Sequence, residues 1–264
     1  LKVADSVDPG VAPRLFGCSD NLHGFAMEYI EGSDVFLWKT ALLAGQKPKG
    51  EAGRVADLLG RIHARSAEPE FDRRPFDNRD DFEALRLEPY LRFTATRHPQ
   101  IGERLTEVAD LLYQSEAVLV HGDVSPKNII FRGGNPVLLD AECATMGDAS
   151  FDVAFCLNHL ILKAVHLPDM RSAYLGAALE FWDSYRNHVM WEDIGALHQK
   201  VSRLLPMLML ARVDGKSPVE YLGPATTDTV RKIALALIEA PRQTVPDTID
   251  RISSMLEGSD DGRD

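Results

Sequence analysis

Three polar side chains near the middle of the chain are of the types that handle protons and metal ions. Asp123 and Asn128 lie in a polar stretch between apolar runs, and Asp140 follows the last of these runs. A carboxylate can orient and deprotonate a hydroxyl group, while an amide oxygen and a second carboxylate can hold Mg²⁺ against nucleotide phosphates. These residue types in this order indicate phosphoryl transfer, in which Asp123 would accept the proton and Asn128 and Asp140 would bind the metal ion.

A short strand, a loop and a hairpin must position these side chains. Residues 118–120 are an apolar run typical of a strand, and residues 129–139 contain two more such runs, separated by a turn with Gly133-Gly134-Asn135. These turn residues supply the positive φ that a tight hairpin requires. The first two polar residues are therefore expected on the loop that enters the hairpin, and Asp140 at its exit. An ordinary hairpin whose acidic residues form turns is the alternative, but it does not explain why polar residues crowd both ends.

Several short motifs resemble those of a known enzyme family. His121-Gly122-Asp123, Asn128 and Asp140-Ala141-Glu142 are similar to the protein-kinase motifs H-R-D-L-x-x-x-N and D-F-G. Glycine in place of the kinase arginine, and Asp-x-Glu in place of D-F-G, resemble the small-molecule branch of that fold, the aminoglycoside phosphotransferase and choline kinase family. Residues 147–154, GDASFDVA, and residues 27–32, MEYIEG, which look like a kinase hinge, extend the resemblance.

The resemblance implies an α+β, protein-kinase-like fold. Residues 1–32 would be the remnant of a β N-terminal lobe with its hinge, and residues 33–257 a mainly helical C-terminal lobe that carries the catalytic loop and the metal-binding hairpin. The tail 258–264 lacks apolar residues and is expected to be disordered. No Gly-rich loop precedes Val11, and Lys2 is expected to be a solvated residue near the end of a helix, not the lysine of a nucleotide-binding strand. We therefore expect an N-terminally truncated member of the family.

The resemblance also assigns residues to the nucleotide. In a kinase-like hinge the Glu28 carbonyl would accept a hydrogen bond from the amino group of adenine, and the Ile30 N–H would donate one to its ring. Ser125 occupies the place of the kinase lysine that touches the γ-phosphate, so we expect it beside ATP, hydrogen-bonded to Asp123 or the acceptor. A plain edge hairpin without a ligand is the alternative interpretation of residues 11–30.

Three further residues would support the catalytic loop. Asp152 resembles the family's aspartate that hydrogen-bonds the loop backbone and His121, and it could equally favour its own helix N-terminus; the two roles are compatible. Glu142 would bind the metal ion directly or through water, but Asp140 is the preferred metal ligand. Lys127 could neutralise transferred charge, although a solvated loop lysine is the preferred interpretation.

The composition argues against several classes of function and site. The chain has 264 residues, a net charge of −11 and a pI near 5.2, which argues against nucleic-acid binding through a basic surface. An acidic surface would suit a cationic acceptor. Cys18, Cys143 and Cys156 are odd in number and lack C-x-x-C spacing, so a disulfide framework and a zinc site are not expected, and a reducing cytoplasm fits. The sequence contains no apolar run of about 18 residues, as a membrane span would require.

The rest of the chain reads mainly as helices, interrupted by a polar loop over residues 66–82. Apolar residues at helical spacing predict helices over residues 38–43, 53–63, 82–91, 101–112, 152–166, 174–185, 194–210, 230–238 and 249–255. His63 is expected to be a hydrogen-bonded core histidine. Asn158 and His159 interrupt an apolar helix, and core hydrogen bonding is preferred for them over an acceptor pocket. Residues 217–220, SPVE, resemble a capping box and predict a short helical turn.

Together these features predict a phosphotransferase that uses ATP and Mg²⁺ to phosphorylate a hydroxyl of a small molecule, such as an aminoglycoside, an amino alcohol, a sugar or an amino acid. Two alternatives remain at this point. A catalytically inactive nucleotide-binding module is favoured by the missing upstream lysine. A metal-dependent phosphohydrolase would use the same carboxylates to activate water.

Overall fold

Short antiparallel sheets and long helices build the structure, a computed structural model that describes residues 2–19 and 21–260. The strands are β1 (Leu15–Ser19), β2 (Gly24–Met27), β3 (Val35–Leu37), β4 (Val118–Val120), β5 (Ile129–Arg132), β6 (Asn135–Leu138) and β7 (Thr145–Gly147). The helices are α1 (Lys2–Val7), α2 (Trp38–Leu43), α3 (Glu51–Ala67), α4 (Arg79–Phe82), α5 (Phe93–Arg97), α6 (Pro99–Gln114), α7 (Ala149–His166), α8 (Arg171–Tyr185), α9 (Ile194–Asp214), α10 (Pro224–Glu239) and α11 (Val245–Asp260). This mixture confirms the predicted α+β class.

Strands β1 and β2 pair antiparallel with a bulge, but they cover less than the predicted strands 11–16 and 25–30. Beyond Met27 one further backbone bond runs from the Glu28 N–H to the Arg14 carbonyl at 2.8 Å, whereas the Arg14 N–H donates to the Glu28 carboxylate at 3.1 Å. Val11 is buried and its carbonyl accepts from Leu138 N at 2.8 Å, so this segment bonds to β6 instead of β2. Asp20, in the predicted turn, lies outside the described residues.

The hairpin of β5 and β6 is present as predicted, and β3 adds to its other side in the order β3-β5-β6. Arg132 pairs with Asn135 across a two-residue turn in which Gly133 and Gly134 have φ of 57° and 80°. Both central residues of such a turn need positive φ, which glycine adopts without strain. Strand β4 pairs separately with β7, so the loop after β4 is held between two small sheets.

Four helices, α3, α7, α8 and α9, pack together below these sheets and form most of the core. Helix α7 is buried from Ala149 to Val165, in agreement with its apolar sequence on every side. Fully burying a side chain as large as Phe151 stabilises the fold by about 1.5–3 kcal/mol. Helix α3 crosses α8 and carries His63 into this core.

The segment predicted as a helix over residues 82–91 is helical but has π geometry over residues Glu83–Arg92. Pro89 lies inside it and has no N–H to donate to the Leu85 carbonyl, four residues earlier. The Nη1 group of Arg86 donates to that carbonyl at 2.8 Å. The wider turn relieves the clash between the proline ring and the preceding carbonyl.

Two other predicted features differ from the structure. Residues 217–220 form no helical turn, because the Ser217 hydroxyl accepts from the Arg212 Nη1 group at 3.0 Å and does not cap a helix. Helix α11 continues to Asp260, so the predicted tail begins too early; its last residues, 261–264, lie outside the described part of the chain. Lys2 is exposed, as expected, but it is the first residue of α1 and not near the end of a helix.

The cysteines are unpaired, with Cys18 exposed on β1 and Cys143 and Cys156 buried. Among the described residues no helix combines the length and apolar character needed to cross a membrane.

Candidate active site

The backbone at the end of β4 is fixed by one buried carboxylate. Asp152 accepts from the N–H of His121 at 2.6 Å and from the N–H of Gly122 at 2.9 Å, one bond to each oxygen. On its other side, Asp152 lies 3.3 Å from Nε2 of His63, whose Nδ1 lies 2.6 Å from the Tyr185 hydroxyl. A carboxylate can only accept, so His63 donates from Nε2 and accepts from Tyr185. Every polar group in this chain of contacts is therefore paired, and His63 is the core histidine that was predicted.

Gly122 allows the chain to turn sharply out of β4. Its φ is 79°, and a Cβ at this position would lie 2.9 Å from Cβ and 3.0 Å from the carbonyl oxygen of Cys143. Only glycine avoids both the strain and the clash. The motif His121-Gly122-Asp123 thus has a steric reason as well as a chemical one.

His121 links the catalytic loop to the far side of the hairpin. Its Nδ1 accepts from the Asp123 N–H at 3.2 Å, and its Nε2 donates to the Leu139 carbonyl at 3.0 Å. Burial lowers the pKa of His121, which keeps the ring neutral and retains this donor and acceptor arrangement. The loop residue Asp123 and the residue before Asp140 are thereby joined through one imidazole.

Asp123 is buried between two cations. Its Oδ2 lies 3.1 Å from Nη2 of Arg86 and 3.0 Å from Nζ of Lys127. The Lys127 side chain is 53% exposed, so it is the solvated loop lysine that was preferred, and it also pairs with Asp123. Although burial opposes ionisation, these two charges keep the pKa of Asp123 below its usual value. The second oxygen, Oδ1, is buried and has no hydrogen-bond partner among the described residues. Asp123 therefore has an ionised carboxylate with one oxygen available to a ligand.

Asn128 and Asp140 offer the remaining oxygen ligands. The Asn128 Nδ2 group donates to the Asp123 carbonyl at 3.2 Å, which leaves its amide oxygen as an acceptor. The Asn128 carbonyl accepts from Leu139 N at 2.9 Å, and this bond holds the loop beside the residue preceding Asp140. Asp140 is exposed, has a φ of 61° and makes no side-chain hydrogen bond within the described chain.

These donors are of the hard oxygen type that suits Mg²⁺, and the residues available fit such an ion chemically. Glu142 is exposed, and its backbone carbonyl accepts from Asn78. No group of three His, Cys, Asp or Glu side chains close enough to hold a metal ion occurs in the described residues. A metal site here would therefore depend on the Asn128 amide and on ligands from outside the protein.

Ser125 is buried beside Asp123. Its hydroxyl has no well-formed hydrogen bond to a described residue. It nevertheless lies close enough to Asp123 to contribute slightly to the lowering of the Asp123 pKa. Its backbone N–H donates to the Asp123 carbonyl at 2.8 Å, so it also shapes the loop.

The hinge residues lie at the opposite end of the same hairpin. The Glu28 carboxylate accepts from Arg132 at 2.6 Å, and Arg132 also donates to the Gly10 carbonyl at 3.0 Å, which ties the hinge to strand β5. These bonds lower the pKa of Glu28, chiefly through the Arg14 N–H and then Arg132. Within the described residues, neither the Glu28 carbonyl nor the Ile30 N–H makes a backbone hydrogen bond. Both groups remain available to a ligand.

A cavity of about 190 Å³ opens beside Asp123. This is smaller than the pockets that take drug-sized ligands. Its walls come from α2, the π-helical segment, the loop after β4, α7, the end of α9 and the chain that follows it. They include Lys39, Tyr90, Asp123, Lys127, His159, Lys163, Arg212, Glu220 and Tyr221. His159 thus lines a cavity, against the expectation of core hydrogen bonding, while the Asn158 amide is buried and finds no partner in the described chain.

A model of the phosphotransferase enzyme family, APH, matches residues 4–188, well over half of the chain. The chain belongs to this family. A homoserine kinase of Beijerinckia indica is 29% identical to this chain over 136 residues, which cover 44% of this chain and 41% of that enzyme. The chain thus spans about two-fifths of the length of the curated relative it matches.

Two solved structures are similar to this chain in fold. A choline/ethanolamine kinase family protein from Mesorhizobium loti has a TM-score of 0.51 at 15% identity, covering 97% of this chain and 81% of that one. A glucosamine kinase has a TM-score of 0.50 at 17% identity, covering 98% of this chain and 67% of its own. The predicted protein-kinase-like fold is thereby confirmed, and these likenesses extend to the fold alone.

Several residues of this candidate site were not predicted from the sequence. Arg86 holds Asp123 from a helix that precedes it by about 40 residues, and Arg212 reaches the cavity from α9. No local pattern marks either residue. Lys163 did carry a signal, since a lysine within a helix that is apolar on every side must find an unusual environment.

Proposed function

We propose that this phosphotransferase transfers the γ-phosphoryl group of ATP to a hydroxyl group of a small molecule. The observation that carries this proposal is the state of Asp123, an ionised carboxylate that lines a small cavity and whose Oδ1 has no hydrogen-bond partner among the described residues. Such a group can accept a hydrogen bond from an acceptor hydroxyl and fix its direction of attack. The match to a homoserine kinase supports a small acceptor.

In the proposed step the acceptor oxygen bonds to the γ-phosphorus as the bond to the β,γ-bridging oxygen breaks. ADP leaves with the bonding electron pair, and the hydroxyl proton passes to Oδ1 of Asp123. Because Arg86 and Lys127 lower its pKa, Asp123 is a weak base that orients the hydroxyl first and takes the proton late. This order agrees with the loose transition state of phosphoryl transfer, in which positioning supplies most of the rate.

Asn128 and Asp140 would hold Mg²⁺, which when bound neutralises charge on the nucleotide phosphates. Ser125 and the backbone groups of Glu28 and Ile30 would contact the nucleotide, and Glu142 would support the metal. Asp140→Ala should weaken binding of Mg·ATP and abolish metal-dependent turnover without unfolding the chain, because Asp140 is exposed and makes no side-chain bond among the described residues. Unchanged Mg·ATP affinity in this variant would remove Asp140 from the metal site.

The decisive experiment compares Asp123→Asn with Asp250→Asn, an exposed aspartate on α11. ADP release from Mg·ATP is measured with and without a panel of small hydroxyl compounds. We expect an acceptor to stimulate ADP release, Asp123→Asn to lower this rate by on the order of 10²- to 10⁴-fold, and Asp250→Asn to leave it unchanged. Equal rates for Asp123→Asn and the unaltered chain would refute the assignment.

The same assay separates the two alternatives. A phosphohydrolase would release phosphate at a rate indifferent to any acceptor, and an inactive module would bind Mg·ATP without turnover. For location we propose the cytoplasm, which the three unpaired cysteines support.

A further inference from the structure

The cavity beside Asp123 is cationic, in contrast to the chain's net charge of −11. Its two carboxylates are already matched by cations: Asp123 pairs with Lys127, and Glu220 pairs with Lys39. Two further cations, described below, line the same cavity without a carboxylate partner among the described residues. The cavity wall therefore carries an excess of positive charge that the protein itself does not balance.

Lys163 is the first of these cations. It is 1% exposed, and among the described residues its ammonium group donates only to the His159 carbonyl, at 3.3 Å. The ammonium also lies over the ring of Tyr221, 5.4 Å from its centroid, while the buried Tyr221 hydroxyl has no hydrogen-bond partner in the described chain. An ammonium has three donors, so at least one remains unused at the cavity. A buried cation in this state is costly unless a ligand pairs with it.

Arg212 is the second cation that lines the cavity without a carboxylate partner among the described residues. Its Nη1 donates to the Tyr90 hydroxyl at 3.1 Å and to Ser217, which fixes the plane of the guanidinium. Its Nη2 makes no hydrogen bond, and its Nε is buried without a partner, within the described residues. A guanidinium held in this way keeps part of its planar fork free, and such a fork fits a carboxylate with two parallel hydrogen bonds.

The electrostatics of the cavity agree with this geometry. Burial first, and then the neighbouring cations Lys39 and Arg212, lower the pKa of Lys163 to about 7, against opposing effects of Cys156 and Glu220. The pKa of the neighbouring His159 is also lowered, by burial and then by the cations around the cavity. An anion entering the cavity would meet a field that attracts it and would favour the protonated lysine.

We infer that the acceptor carries a carboxylate, bound by Lys163 and Arg212 while its hydroxyl meets Asp123. This inference rests on the proposed function and specifies its substrate class: a small hydroxy acid, not the cationic compound that an acidic chain suggests. The cavity volume of about 190 Å³ agrees with a small compound.

The test uses pairs of hydroxyl compounds that differ only in charge. Binding of 4-hydroxybutanoate and of 4-hydroxybutanamide to the full chain is measured by titration calorimetry, and each compound is also tried as an acceptor in the ADP-release assay. Choline serves as the cationic comparison. We expect the acid to bind more tightly than its amide by on the order of 10- to 100-fold, as charge-assisted hydrogen bonds predict, and choline not to bind.

Variants then assign the preference to residues. Lys163→Met removes a buried charge at similar shape and should leave the fold intact. It should weaken binding of the acid by on the order of 10-fold or more and leave binding of the amide within about twofold. Arg212→Gln should act in the same direction. Lys232→Met, an exposed lysine on α10, is the matched control and should change neither.

The outcomes separate this inference from the proposed function. Stronger binding and turnover of the amide or of choline would overturn the inference and leave the kinase assignment intact. Binding of the acid that depends on Lys163, with no acceptor-stimulated ADP release from any compound, would support the carboxylate site and overturn the kinase assignment. Equal loss of acid and amide binding in Lys163→Met would reduce the lysine to a structural role and refute the inference.

Discussion

The Arg86 guanidinium lies 3.1 Å from Oδ2 of Asp123 and also donates to the Gly122 and Leu85 carbonyls. One side chain thus connects the π-helical segment, the glycine turn and the proposed catalytic carboxylate. Since Pro89 leaves the Leu85 carbonyl without its usual helical donor, the irregularity of this helix and the placement of Arg86 belong together. The position of Asp123 therefore depends on a residue outside the catalytic loop.

Replacing Arg86 by methionine should destabilise the chain by about 3 kcal/mol at pH 7, because a buried carboxylate loses its principal partner. In an Asp123→Asn background the same replacement should cost about 2 kcal/mol less, since no charge is left unpaired. Urea denaturation of the four proteins measures this coupling. Arg65→Met, which removes an exposed pair with Glu68, is the control and should cost under about 1 kcal/mol. Equal costs in both backgrounds would show that Arg86 acts only through the backbone carbonyls.

Gly122→Ala and Gly134→Ala form a matched pair for the glycine turn. Both positions have φ near 80°, but a Cβ at Gly134 meets nothing within 4 Å, whereas one at Gly122 meets Cys143. Gly134→Ala should therefore cost about 1–2 kcal/mol from backbone strain alone. Gly122→Ala should cost about 2 kcal/mol more, from overpacking, and should also lower turnover. Chemical denaturation tests the order, and equal costs would mean that the Cys143 contact relaxes freely.

Asp152→Asn should destabilise the chain by about 3 kcal/mol, because an amide nitrogen must then face a backbone N–H or the His63 donor. The loss of stability should affect the end of β4 in particular, as well as the chain as a whole. Hydrogen exchange of the His121 and Gly122 amides should accelerate more than exchange within α9. Asp110→Asn, at an exposed pair with Arg92, is the control and should leave these amides unchanged.

Lys163 makes stability depend on pH in a direction opposite to a surface lysine. Its folded pKa of about 7 lies below the unfolded value of 10.5, so between these values the unfolded chain binds more protons. Stability should therefore rise with pH across this window. Relative to Lys163→Met, the unaltered chain should gain about 2 kcal/mol between pH 7 and pH 9, measured by urea denaturation at each pH. A constant difference would place the pKa outside this window.

Local patterns predicted the elements well, since the hairpin of β5 and β6, helices α3 and α7 and the turn glycines each depend on neighbouring residues. They failed where distant residues decide. The Arg14 N–H donates to the Glu28 carboxylate and not to a backbone carbonyl, and the Ser217 hydroxyl accepts from Arg212 and caps no helix. The positive charge of the cavity could not be predicted from the sequence either, because its cations come from four separate segments and the net charge of the chain has the opposite sign.

The burial of two of the three thiols has a practical consequence. Burial raises the pKa of Cys143 to about 11 and raises that of Cys156 as well, so neither supplies a thiolate at neutral pH. A maleimide dye should therefore label Cys18, which is exposed on the strand that leads towards the hinge. The unaltered chain thus carries its own attachment point for a fluorescent reporter of the proposed nucleotide binding.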